Sequence, residues 1–252
     1  MNATAFSFEP LFLALAVIAA LLYARAARAE TPPAWRIATF TAGLFLIAAS
    51  LNSPLETIAS KYLLLMHLLQ NALVADVAPL LVVLGLTPRM RESLGRRGPG
   101  LRSRWILPIW LAAWYCTHIA PFYDWALRTG WGLNLEHAIL IAAGLLFWWP
   151  IVSGRLSPPA GLGYLAAAFI ASSFLGLAYI FSSRPFYAFY EHAPRLWGLS
   201  PVRDQNLGGI LMNGEQTLVF LLAIGWFVMR LLDEEHARDE VAARPREPLS
   251  DT

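Results

Sequence analysis

Long apolar runs separated by arginine-bearing gaps constrain this chain more than any other feature of it. A run of roughly 18 or more largely apolar residues can cross a hydrocarbon core about 30 Å thick. Seven stretches qualify, at residues 6–24, 35–52, 62–87, 105–122, 134–152, 160–182 and 207–232, with Gly, Pro and Arg punctuating the gaps. Hydrophobic residues fill 57% of the 252 positions and charged residues only 14%, so the chain carries more apolar surface than a soluble fold of this size needs. The expected fold is all-α: a polytopic membrane protein, a bundle of seven transmembrane helices within residues 1–232, followed by a polar tail at 233–252. No internal repeat is visible.

The basic residues orient the bundle, because Lys and Arg concentrate in cytoplasmic loops. Of the 19 Lys and Arg, 14 fall on one set of alternating gaps: Arg25, Arg28 and Arg36; Arg89, Arg91, Arg96, Arg97, Arg102 and Arg104; Arg155; and Arg230, Arg238, Arg244 and Arg246. The other set holds Lys61, Arg128, Arg184, Arg195 and Arg203. The N-terminus is therefore expected outside and the C-terminus, with its tail, inside. Ala27-Arg28-Ala29 resembles a cleavage site, but the stretch before the first run has no basic residue and carries Glu9, so a retained helix is expected rather than a signal peptide. The topology accounts for the net charge of +2 without nucleic acid. The single cysteine, Cys116, excludes an internal disulfide and reads as a small buried hydrophobe. No phosphate loop, paired-cysteine site or nucleophile elbow stands in a fitting context, and Gly95 to Gly100 reads as a basic turn. Nothing points to an enzyme.

In this orientation His67, His118 and His137 all lie within about two helical turns of the outer interface, on three different helices. His192 joins them from an outer loop. Gln70 and Asn71 follow His67 by three and four residues and so share its helix face. Met66 flanks that face, and Met212 lies little more than a turn inside the seventh run. Imidazole suits copper, zinc and iron, and thioether sulfur biases toward cuprous ion, so a copper site is one reading. Local hydrogen bonding at wet helix ends is the other, with Met66 and Met212 as packing residues. Asp124 and Asp204 are further polar groups on the outer side, Asp204 placed to cap the seventh helix. Two acids sit deeper. Asp76, nine residues past His67, lies about 13 Å further in on the opposite face, and Glu215 forms a polar patch near Met212 and Asn213. Intramembrane acids mark either an ion or proton path or a neutral carboxyl held between helices. Gly208, Gly209 and Gly214 would admit close helix approach there.

The run Ser53-Pro54-Leu55, His67-Leu68-Leu69-Gln70 and Val77-Ala78-Pro79-Leu80-Leu81 to Gly85 resembles the third-helix signature of the CtaG family of cytochrome c oxidase assembly factors. His118 with Pro121, Tyr123-Asp124, Glu136-His137, Phe147-Trp148-Trp149-Pro150, Arg184-Pro185, Trp197-Gly198-Leu199-Ser200-Pro201, Asp204-Gln205, Gly209 and Met212 follow in the family's order. The resemblance implies a non-enzymatic protein of the bacterial cytoplasmic (inner) membrane, embedded in the lipid bilayer. It also implies contact with a subunit of a haem-copper oxidase and handling of copper, with His67, His118 and His137 as metal positions. One departure stands out: family members usually carry a second histidine where this chain has Asn71, and an amide is a poor ligand for cuprous ion. Two further functions fit the residues alone: a haem-binding electron carrier using two axial histidines, and a proton or metal-ion transporter using Asp76 and Glu215.

Overall fold

The computed structural model describes residues 2–97 and 103–243, and every regular element within them is helical. The first two helices, α1 (Pro10–Ala27) and α2 (Ala34–Leu51), pack together. Next comes the short α3 (Pro54–Lys61), opened by Ser53, whose hydroxyl accepts from the Leu55 N–H at 3.2 Å. Pro54 at its start loses no hydrogen bond, since that N–H has no helical partner anyway.

The third apolar run is the most buried rod of the molecule, and it is not a uniform helix. It comprises α4 (Leu64–Ala72), a single π-helical turn (Leu73–Val77) and α5 (Ala78–Gly85). The wider turn stands directly before Pro79, whose ring in α-helical register would strike the carbonyl of Ala75. That carbonyl in turn meets the α9 backbone at Gly144, where any side chain would collide with it.

The chain continues through α6 (Pro88–Arg97), α7 (Ser103–His118), α8 (Ala120–Arg128), α9 (Gly130–Val152), α10 (Pro158–Phe181), α11 (Ala188–His192) and α12 (Pro201–Ala243). Among the described residues, six rods are long and apolar enough to cross a membrane: α1, α2, the α4–α5 rod, α9, α10 and α12. The run expected at 105–122 instead ends at His118, where Ile119 is extended and α8 begins, giving α7 only 16 described residues. Pro121 accounts for the break, since a continuing helix would press its ring onto the Thr117 carbonyl. Gly95, read as part of a turn, lies inside α6, while Gly98, Gly100 and Arg102 fall outside the described residues. The polar segment from Asp233 stays helical to Ala243, and Arg244, Arg246 and the rest of the tail also fall outside.

The most extensive long-helix packing joins α10 to α12, and Gly209 helps make it possible: a Cβ there would lie 2.8 Å from the Gly176 carbonyl. Gly214, expected to serve the same purpose, faces open space. Large apolar side chains cover the outside, among them Leu15, Ile18 and Leu22 on α1 and Leu218, Leu222 and Trp226 on α12. An apolar exterior of this extent is disfavoured in water and suits helices facing lipid.

Candidate functional site

Three helices bring His67, His118 and His137 toward one buried region at the same end of the bundle. His67 projects from α4, His118 ends α7 and His137 lies in the second turn of α9; they are 0%, 5% and 1% exposed. The His67 and His137 rings are 6.0 Å apart, centre to centre. Phe12 of α1 packs edge-on against His137 at 6.1 Å and closes the site from that side. Tyr123 of α8 stands between the other two histidines, 4.9 Å from the His67 ring and 5.8 Å from the His118 ring.

The hydrogen bonds assign the imidazole tautomers. His67 Nδ1 lies 2.7 Å from Tyr190 Oη, and Tyr190 gives its only proton to the Ala59 carbonyl at 2.5 Å. His67 Nδ1 must therefore carry a hydrogen and donate it, and in the neutral ring Nε2 is then a bare lone pair. His118 Nδ1 faces the Trp114 carbonyl at 2.7 Å, an acceptor only, so its Nε2 is bare by the same logic. Donation of one ring N–H to protein oxygen while the other nitrogen stays free is the usual state of a metal-binding histidine. Among the described residues neither of these Nε2 atoms has a hydrogen-bond partner, nor does either ring nitrogen of His137.

Glu136, completely buried, supplies the charge. Its Oε1 accepts from Asn71 Nδ2 at 3.1 Å and lies 3.5 Å from His67 Nε2, while Oε2 has no partner. A lone pair and a carboxylate oxygen facing each other in a buried site repel unless a proton or a cation comes between them. A proton on His67 Nε2 would satisfy that contact alone. It would leave His118 Nε2, the unprotonated ring nitrogen of His137 and Glu136 Oε2 unpaired, a set of lone pairs that a cation would satisfy. Among the described residues no three His, Cys, Asp or Glu side chains already converge on one point.

The remaining expected residues fall into place around this cluster. Asn71 touches Glu136, so the position that departs from the resemblance is inside the site. Gln70 turns away, donating to Glu56 Oε2 at 2.5 Å and to the Ser50 carbonyl at 2.7 Å. Met66 is half-buried on the flank of α4, and Met212 is fully buried among Tyr123, Tyr187 and Tyr190. Asp204 does not cap its own helix: its two oxygens accept from the N–H groups of Leu64 and Leu65, at 2.9 Å each, and Ser200 serves α12 instead. The cause is that Leu63, ahead of α4, offers no side-chain acceptor for those orphan donors. Asp124 likewise caps α11, accepting from Ala188 N–H at 3.2 Å and Phe189 N–H at 2.9 Å. Both carboxylates therefore support the site from outside it: Asp204 fixes the start of α4, and Asp124 fixes the helix that carries Tyr190.

His192 stays outside, exposed and bonded to its own helix through Ala188 O at 2.8 Å. Cys116 is exposed rather than buried, because α7 turns that face outward. Asp76 is separate from the histidines, as expected, and accepts from Trp148 Nε1 at 2.8 Å. Trp148 lies eleven residues beyond His137, about 16 Å deeper along α9.

Glu136 and Tyr123, which the sequence reading quotes only as motif members, and Tyr190 and Glu56, which it does not name, also build the site. Glu136 had a legible signal, a carboxylate inside a 23-residue apolar helix beside a histidine. Burial pushes the Tyr123 and Tyr190 phenols well above their ordinary range, so both stay neutral. Burial also raises the Glu56 carboxyl to about 7, against the opposing pull of the Gln70 hydrogen bond and His67. A cavity of about 610 Å³ lined by His118, Ala120, Arg184 and Phe186 opens beside His118.

Fold and site define a helical bundle with an apolar exterior and an internal imidazole–carboxylate cluster near one end. The sequence model of the cytochrome c oxidase caa3 assembly factor family (Caa3_CtaG) matches residues 17–234, and the chain belongs to that family. No curated protein and no solved structure matches it.

Proposed function

We propose that this protein spans the membrane seven times, with α7 as the additional span, and assists assembly of a haem-copper oxidase by holding copper at its outer face. Copper is the cargo in this reading, not a resident cofactor. The observation that carries it is the set of buried, unpartnered nitrogen atoms on His67, His118 and His137 beside the unpartnered oxygen of Glu136. Imidazole nitrogens in a water-poor, tyrosine-walled site suit cuprous ion, and the carboxylate offsets its charge. His118 borders the open cavity and receives the ion, while His67, His137 and Glu136 hold it deeper, past the Tyr123 ring. Orientation follows the arginines, which gather at the opposite end of the bundle.

A deletion strain tests the assignment. Its oxidase should lack copper and activity, and both should return with the wild-type gene but not with one encoding His67→Ala. An oxidase with full copper and activity in the deletion strain would refute the proposal, and a haem absorption band in the purified protein would turn the site to a different cargo.

A further inference from the structure

At the end opposite the histidines, α6, α12 and the end of α9 with the loop after it border an open cavity of about 650 Å³. Its polar lining is Arg91, Arg96, Arg155 and Arg230 against the one carboxylate Glu92, with Ser153, and Trp149 and Trp226 form apolar walls. The cations are incompletely neutralised. Arg155 has no carboxylate partner among the described residues and lies over the Trp149 ring at 5.8 Å. Arg91 spends one nitrogen on the Val152 carbonyl, and its buried Nε has no partner. Arg96 pairs with Glu92 on the exposed side, and Arg230 reaches Glu234 at 3.5 Å. Arg155 approaches so closely that a Cβ at Gly95 would lie 2.9 Å from its Nη2.

Guanidinium groups present paired N–H donors that match a phosphate bidentately, and several around one cavity fit a phosphorus oxyanion. A second observation identifies what carries that oxyanion. Leu222, Trp226 and Met229 are 68%, 45% and 59% exposed, and their spacing puts them on one face of α12 leading to the cavity through Trp226. An anionic head bound at the arginines would lay its apolar part along that stripe. We propose that this cavity binds the headgroup of an anionic phospholipid, with the acyl chains along the Leu222–Trp226–Met229 face. Basic pockets between helices at the cytoplasmic side of a membrane commonly serve such lipids.

The test uses the full-length protein in neutral detergent with equal amounts of phosphatidylglycerol and phosphatidylcholine of matched acyl chains, the retained lipid being counted by native mass spectrometry. Wild type should retain phosphatidylglycerol in preference by about tenfold or more, the scale of a charge-assisted phosphate contact. Arg155→Gln with Arg230→Gln should abolish the preference. Arg238→Gln, farther along α12, should preserve it. Arg96→Gln should reduce it in part, and that side chain, 64% exposed, can be replaced without threatening the fold. Equal retention of the two lipids by wild type, or a preference unchanged in the double variant, would overturn the proposal. Displacement of phosphatidylglycerol by millimolar inorganic phosphate would also overturn it, assigning the cavity to a soluble phosphate instead.

Discussion

Glu56 shows how a single buried carboxyl beside the site sets a response to pH. It is 3% exposed, and its Oε2 accepts from Gln70 Nε2 at 2.5 Å, which ties α3 to α4 one turn from His67. Its carboxyl titrates near 7 in the folded protein against an ordinary value of 4.5. Below the lower value the group is neutral whether folded or not, and burial carries no charge penalty. As pH rises through about 7 the folded state must bury a carboxylate, and stability falls by an amount on the order of 3 kcal/mol at saturation. Glu56→Gln keeps the shape and removes the ionisation. The wild type should therefore lose thermal stability between pH 5 and pH 8 relative to Glu56→Gln, and parallel curves for the two proteins would show that Glu56 is not the titrating group.

Among the elements, the central rod and α9 depend on one close approach. Gly144 lets α9 meet the Ala75 carbonyl that the π turn and Pro79 present. Gly144→Ala would press a methyl against backbone that has no room to give, and should cost about 1–3 kcal/mol in thermal unfolding. Gly214→Ala, facing open space, should be neutral or slightly stabilising; equal losses at both positions would mean that the close approach does not matter. The same elements show what periodicity and length reveal. The long apolar runs were legible because hydropathy alone decides them, whereas the α7–α8 break at Ile119 was not, since Pro121 interrupts the helix without interrupting the apolar run. The cap formed by Asp204 on α4 spans 140 residues, and the Tyr190 contact to His67 spans 123. Neither leaves a local signal, so a nearest-helix reading gave Asp204 to α12. The three histidines were legible from topology; their tautomers required Tyr190, Ala59 and Trp114.

For the whole molecule, function depends on which side of the membrane the cluster faces and on what it holds. In a Cys116→Ala background, cysteines at the exposed positions Gly130 and His192 should react with an impermeant thiol reagent applied to spheroplasts, and one at Arg238 should not. The reverse pattern would put the histidines on the cytoplasmic side. The central claim is that His67 and His137, with Glu136, hold the cuprous ion that His118 receives. Competition against a cuprous chelator measures it most directly, comparing the purified wild type with His67→Ala, His236→Ala and Asn71→His. The wild type should hold copper at least about tenfold more tightly than His67→Ala, which corresponds to roughly 1.4 kcal/mol or more. His236→Ala, on the far end of α12, should match the wild type. Asn71→His should bind more tightly still, because it adds an imidazole beside Glu136 one turn from His67. Equal retention in all four proteins would contradict the account.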